Sequence, residues 1–193
     1  MPAQKTSKER LIVQAMQLFR RQGYYNTSIG DLSKACDIPK SHFYYYFPDG
    51  KEQLMDEVLM AVRDYFDQRV FQIAYKTEQS PESKWQQIRQ KLERIFMNQQ
   101  GGCIMGLTAL ETSFVPQEPR FVPAVRNYFE EMILAFAVLF QPVSSPEGAI
   151  LLAQRSVQDL QGGLMLMQLY KDPQYFHQAL NRIEDSLQTP TQA

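Results

Sequence analysis

Apolar residues in the first fifty positions recur at helical spacing, in runs too short for one continuous helix. Leu11, Ala15, Leu18 and Phe19 stand at i, i+4, i+7 and i+8, one stripe that Gly23 closes as a C-terminal stop. Ile29, Leu32 and Cys36 make a second apolar face of about two turns, with Thr27 or Ser28 as its N-cap, before Asp37 interrupts it. The spacing predicts a short helix over 29–36. Pro39 has its φ already set and no N–H to lose, so it suits the first turn of a third helix with Phe43 and Phe47 inward and Ile38 packing at its start. Two short helices joined by a tight turn are the layout of a helix-turn-helix. Lys40, Ser41, His42, Tyr44 and Tyr45 are left facing outward.

The remainder reads as longer helices. One is expected over 51–77, with Leu54, Val58, Val62, Tyr65, Phe66 and Ile73 along one side and a stop near Ser80-Pro81. The next, over 82–98, presents Trp85, Ile88, Leu92, Ile95 and Phe96 and closes at Gly101-Gly102. Shorter and longer helices follow over 105–114 and 121–140, separated by the loop from Pro116 to Pro119. The segment 147–171 is apolar on nearly every side, so it must be covered from two directions. Phe176, Leu180, Ile183 and Leu187 then form a last stripe, and Ser186 to Ala193 reads as a frayed tail. Nothing alternates with period two over a useful length. The expected fold is all-α: a three-helix helix-turn-helix domain over 1–50 and a larger helical domain over 51–193.

A helix of fewer than three turns that exposes two tyrosines, a histidine and a lysine needs a partner to cover them, and double-stranded DNA fits. Lys offers phosphate a mobile cation, Ser and Tyr hydroxyls donate to phosphate oxygens, and His or Lys reaches base edges from the major groove. Charge points the same way. Residues 1–51 hold eight basic and four acidic side chains and the rest twelve and seventeen, so a total of −1 hides a basic end and an acidic body. A chain of 193 residues that is 44% hydrophobic exceeds what three short helices require, which implies the second domain.

Two cysteines, Cys36 and Cys103, allow no disulfide framework, and with His42 and His177 at these separations they make no zinc pattern. No nucleophile with its base and no phosphate-cradling glycine loop stands at recognisable spacing, so no catalytic residue, metal or cofactor is expected and the chain does not read as an enzyme. Neither a signal segment nor an uncharged run long enough for a bilayer is present, and a soluble, cytoplasmic protein without membrane contact is expected.

The N-terminal quarter resembles the DNA-binding domain of TetR-type transcriptional repressors. Phe19, Gly23, Tyr24, Thr27, Ser28, Ile29, Asp31, Leu32, Ser33, Ala35, Ile38, Pro39, Lys40, Phe43, Tyr44, Tyr46, Phe47, Lys51, Glu52 and Leu54 fall on the family pattern in order. It departs at Asp37, where the turn usually has Gly and an αL backbone leans on the tolerance of Asp for positive φ. His42 replaces the usual Ser or Thr, which bears on the base sequence read there. Asp49-Gly50 adds one residue before Lys51. The resemblance implies that Thr27, Ser28, Lys40, Ser41, His42, Tyr44, Tyr45 and Lys51 contact a palindromic operator.

The same resemblance implies a homodimer in which the last two helices pair with those of a second subunit in a four-helix bundle. It further implies a pocket in the central helices for a small-molecule effector that releases the operator. The aromatic and Met-rich candidates Phe66, Phe96, Met105, Phe129, Met132, Phe136 and Met165 suggest an apolar ligand, with Tyr128 or Gln158 as polar anchor. Cys103, in Gly-Gly-Cys-Ile-Met-Gly, resembles a cysteine that in some TetR-like proteins responds to oxidants or electrophiles, so a thiol-sensing repressor is an alternative. Cys36 reads as core. A helical adaptor without DNA binding is the other alternative.

Overall fold

Each apolar spacing becomes a helix in the computed structural model, which describes residues 8–97 and 102–188. In chain order these are α1 Lys8–Gln22, α2 Ile29–Cys36, α3 Lys40–Tyr46, α4 Gly50–Phe66, one π-helical turn Asp67–Phe71 running into α5 Gln72–Ala74, α6 Pro81–Met97, α7 Ile104–Thr112, α8 Val122–Phe140, α9 Pro146–Tyr170 and α10 Gln174–Gln188. No strand occurs among the described residues, and none of the helices there is long and apolar enough to cross a membrane.

The chain divides into two units, Met1–Val62 with Ile104–Val125 and Arg63–Cys103 with Arg126–Ala193. The first groups α7 and most of α4 with the three N-terminal helices. Its core is the predicted one: Leu11, Ala15, Leu18 and Phe19 of α1, Leu32 and Cys36 of α2, and Phe43 and Phe47 around α3 are all buried. Burial also pushes the Cys36 thiol up from its ordinary pKa. Ser28 caps α2 in a capping box with Asp31. Asp37 ends that helix at φ 53 and ψ 51, so the turn does adopt the left-handed conformation on an aspartate, and the Ile38 N–H returns to Ser33 O at 3.0 Å.

The second unit is built on the stripes of α6 (Trp85, Ile88, Leu92), α8 (Tyr128, Met132, Phe136, Phe140), α9 (Ala153, Val157, Leu160, Leu164) and α10 (Phe176, Leu180, Ile183, Leu187), all buried. Helices α9 and α10 pack at backbone distance: a Cβ on Gly163 would lie 2.9 Å from Tyr175 O and 3.0 Å from Ala179 Cβ, so only glycine fits.

Several expectations need correcting. The helix predicted over 51–77 is interrupted by the π turn and ends at Ala74, and Tyr65 is exposed because Phe66, about 100° further round, takes the inward direction. Helix α7 stops at Thr112, leaving Phe114 outside it and exposed. In the single chain α9 has the first of its two expected covers, and Leu151, Met165, Leu169 and Tyr170 on its other side are exposed. Helix α10 continues through Gln188 with Leu187 buried, so Ser186 to Gln188 are not a tail. The rest of the expected tail, and Asn98 and Gly101 at the expected close of α6, lie outside the described residues.

Candidate nucleic-acid interface

Helix α3 sorts its side chains by sequence position. Phe43 and Phe47 point into the first unit at 1% and 0% exposure. Lys40, Ser41, His42, Tyr44 and Tyr45 are all exposed, as the spacing predicts. Tyr45, at 76%, is the most open aromatic of the face. The aromatics form a ridge: His42 lies 6.1 Å from Tyr45 and 5.8 Å from Tyr46 between ring centroids, and Tyr45 meets Tyr46 edge-on at 5.2 Å. A ridge with a cation at one end and hydroxyls along it suits a groove with phosphates at its rim.

The N-cap of α2 lies next to this face. Ser28 Oγ accepts the Asp31 N–H at 3.1 Å, and Asp31 Oδ2 accepts the Ser28 N–H at 2.9 Å and its hydroxyl at 2.6 Å. Those bonds from Ser28 hold the Asp31 carboxyl below its ordinary pKa. Ser28 is exposed and Lys40 reaches back over the first turn of α2, its Nζ 3.9 Å from where a Gly30 Cβ would be.

Two predicted contacts turn inward. Thr27 is 0% exposed and donates its hydroxyl to Gly23 O at 2.6 Å, so it braces the connection between α1 and α2 rather than facing a ligand. The Lys51 ammonium donates to Tyr24 O at 2.8 Å and Thr27 O at 2.9 Å and sits 4.2 Å from the Tyr24 ring centroid. Burial pushes its pKa down, opposed by the Glu111 carboxylate. Two of its three N–H bonds are therefore committed to backbone.

Residues far away in sequence complete this connection, and the sequence reading misses them. Glu111 of α7 accepts the Tyr24 N–H at 2.9 Å. The Tyr24 ring packs edge-on to Phe121 at 4.9 Å, and burial, its largest cause, pushes the Tyr24 phenol up to about 12. Arg120 donates its N–H to Glu52 at 3.0 Å and its Nε to Asp56 at 2.7 Å.

The effector candidates separate. Phe66, Phe96, Tyr128 and Met132 are buried in the second unit, Phe129 is half-buried there and Cys103 is a buried thiol. Met105, on α7, belongs to the first unit. Gln158 and Met165 are exposed on the outer side of α9 and line no interior site. Tyr128 is ringed by Phe66 at 5.4 Å, Phe71 at 5.8 Å and Phe129 at 5.3 Å. Its hydroxyl is buried with no hydrogen-bond partner among the described residues, and burial raises its pKa well above 10.0. An unmade bond of that kind costs about 1–3 kcal/mol. A surface groove of about 400 Å³ lined by Gln86, Gln87, Arg89, Gln90 and Glu93 runs along α6, and it is polar. No group of His, Cys, Asp or Glu among the described residues is arranged to hold a metal.

Residues 11–58 match the family model for bacterial regulatory proteins of the tetR family. The HTH-type transcriptional regulator LmrA of Bacillus subtilis is 39% identical over 64 residues, 33% of this chain and 34% of LmrA, so the match spans about a third of each. An uncharacterized HTH-type transcriptional regulator of the same organism, YxaF, is 27% identical over 175 residues, 89% of this chain and 90% of its own. Among solved structures, a TetR transcriptional regulator from Legionella pneumophila superposes with TM-score 0.83 at 23% identity, covering 96% of this chain and 99% of that one. A cysteine mutant of the TetR family regulator CifR, complexed with 26bp operator DNA, superposes with TM-score 0.73 at 19% identity, covering 96% and 98%. Both solved structures share the fold.

Proposed function

The chain belongs to the TetR family of bacterial helix-turn-helix transcriptional regulators, and from that premise we propose that it is a cytoplasmic repressor that binds a palindromic operator as a homodimer and leaves it when a small apolar molecule binds. The observation that carries the reading is the division of α3, with Phe43 and Phe47 buried and Lys40, Ser41, His42, Tyr44 and Tyr45 exposed. Those five residues with Ser28 are the DNA contacts in this reading, and Thr27 and Lys51 hold the pair of helices from behind. His42 and Tyr45 meet base edges, and Lys40 and Ser28 meet phosphate. CifR carries operator DNA on the same fold. An adaptor without DNA binding leaves this face without a purpose.

Dimerisation in this reading uses the outer side of α9. Leu151, Gln158, Met165 and Leu169 stand at i, i+7, i+14 and i+18 and are exposed, and among the described residues a Cβ built on Gly162 between them meets nothing within 4 Å beyond its own helix backbone and chain neighbours. An exposed apolar seam with a glycine at its middle supports close packing against the same seam of a second copy. The effector site is the cage of Phe66, Phe71 and Phe129 around Tyr128, whose lone hydroxyl asks for an acceptor on an otherwise apolar ligand. Burial of Cys103 at 7% exposure favours this reversible ligand over thiol chemistry.

Selection of bound duplexes from a random library, followed by anisotropy titration at several salt concentrations, tests the reading. The expected result is a palindrome of two half-sites about one helical turn apart, bound with an affinity that falls steeply with salt. Binding that shows no sequence preference would sink it.

A further inference from the structure

The connection from Gly23 to Thr27 feeds directly into Ser28, the N-cap of α2, so its shape sets where α2 begins and how α3 is presented. Three of its backbone groups take side chains from outside the three N-terminal helices. Lys51 of α4 takes the carbonyls of Tyr24 and Thr27, and Glu111 of α7 takes the Tyr24 N–H. Gly23 turns the chain at φ 83, a conformation glycine adopts without strain, and the Glu111 carboxylate lies over it so closely that any Cβ there would collide. Glu111 is 87 residues from its partner and outside the matched segment 11–58. An ordinary surface glutamate has no reason to end on a backbone N–H at 2.9 Å over a left-handed glycine, half-buried.

We propose that Glu111 is a positioning residue for operator recognition: from α7 it fixes the α1–α2 connection, and through it the presentation of α2 and α3 to DNA. It touches no base or phosphate. Its action lies on the fraction of molecules whose helix pair is correctly set, because affinity falls in proportion to the competent fraction. Phosphate attraction by Lys40 and the basic first helix does not depend on that setting, so sequence-specific binding suffers and general DNA binding does not. The recognition domain is thus incomplete without α7, and any displacement of α7 along its axis is read at the DNA face through one carboxylate.

Three full-length variants separate reach from charge. Glu111→Gln keeps an acceptor at the same distance and loses the charge, Glu111→Asp keeps the charge and loses one methylene of reach, and Glu111→Ala loses both. Each is titrated against the duplex selected by the wild type and a scrambled duplex of equal length, with hydrogen exchange at the Tyr24 amide and circular dichroism alongside. The expected result is Kd on the selected duplex about tenfold higher for Asp and Ala and within about twofold of wild type for Gln. All should bind the scrambled duplex alike, and Tyr24 amide protection should be lost in Asp and Ala and kept in Gln. If Glu111→Ala fails to fold, the Asp and Gln pair still decides. Weak binding by Gln with normal binding by Asp would overturn the proposal, as would wild-type affinity for all variants that fold despite loss of Tyr24 protection.

Discussion

Two clusters of aromatic side chains, one contiguous on α3 and one gathered around Tyr128 from Phe66, Phe71 and Phe129, differ in burial. On α3, Tyr44 and Tyr45 are 48% and 76% exposed on a helix seven residues long. In the second unit Tyr128 is 0% exposed, enclosed by Phe66, Phe71 and Phe129. The difference is how many neighbours compete for each residue. A seven-residue helix buries one face and must spend the other on solvent or a partner, whereas α8, at nineteen residues, is packed over most of its turns. Aromatic content therefore says little about contact surface, and helix length with the position of the buried pair says much.

Paired substitutions give the comparison its sharpest test. Phe66→Ala should lower unfolding free energy by about 3–5 kcal/mol, while Tyr45→Ala should leave it within about 0.5 kcal/mol and weaken operator binding instead. Chemical denaturation and DNA titration on both proteins check this, and a Tyr45→Ala protein as unstable as Phe66→Ala would erase the distinction between the clusters. Next in size comes Lys51→Ala, which strips the Thr27 carbonyl of its side-chain donor and leaves the Tyr24 carbonyl with the Thr27 N–H alone. A loss of about 1–3 kcal/mol in stability is expected, with unfolding measured without DNA. If stability were unchanged and only the salt slope of DNA binding flattened, Lys51 would return to the phosphate-contact role that its inward geometry argues against.

A smaller effect of opposite sign is expected at the buried hydroxyl. Tyr128→Phe removes a hydroxyl with no hydrogen-bond partner among the described residues and should leave the protein as stable as before or more stable by about 1 kcal/mol, and under the proposed effector site it should weaken binding of the apolar molecule. Marked destabilisation on thermal melting would mean that the hydroxyl has a partner after all.

The smallest effect is a pH dependence at the N-cap of α2. The folded Asp31 carboxyl sits below its ordinary value of 3.8, so its contribution is present above that value and is lost as pH falls through the lower folded pKa. The stability difference between wild type and Asp31→Ala should therefore shrink on acidification from about pH 6 to about pH 3. A difference independent of pH would show that the carboxylate is not what caps the helix.

Local chemistry is what the sequence discloses well. Ser28 and Asp31 stand three residues apart, and Asp37 sits where a left-handed residue must end α2, so boundaries there follow from neighbours. The exposed face of α3 follows from Phe43 and Phe47 alone. What escapes is chemistry between distant residues. Nothing near Lys51 in sequence announces the carbonyls of Tyr24 and Thr27, and nothing near Glu111 announces an N–H 87 positions away. The placement of Gln158 and Met165 fails for another reason: α9 is apolar nearly all round, so periodicity does not say which side faces inward. The π turn after α4 has no composition signal at all.

That turn has a consequence for helix phase. The Gln72 N–H bonds to Asp67 O, five residues back, so the chain carries one residue more than a regular turn would hold. On an uninterrupted α-helix, residues five apart point about 140° away from each other. With the extra residue absorbed, Phe71 comes back under Phe66 with ring centroids 6.1 Å apart, and both rings reach Tyr128. The wall of the aromatic cage is thus set by an insertion in the backbone count: a chain one residue shorter between Asp67 and Phe71 would place the two rings four apart on a regular α-helix and keep the wall, whereas α-helical bonding of the present sequence would turn Phe71 about 140° away from Phe66.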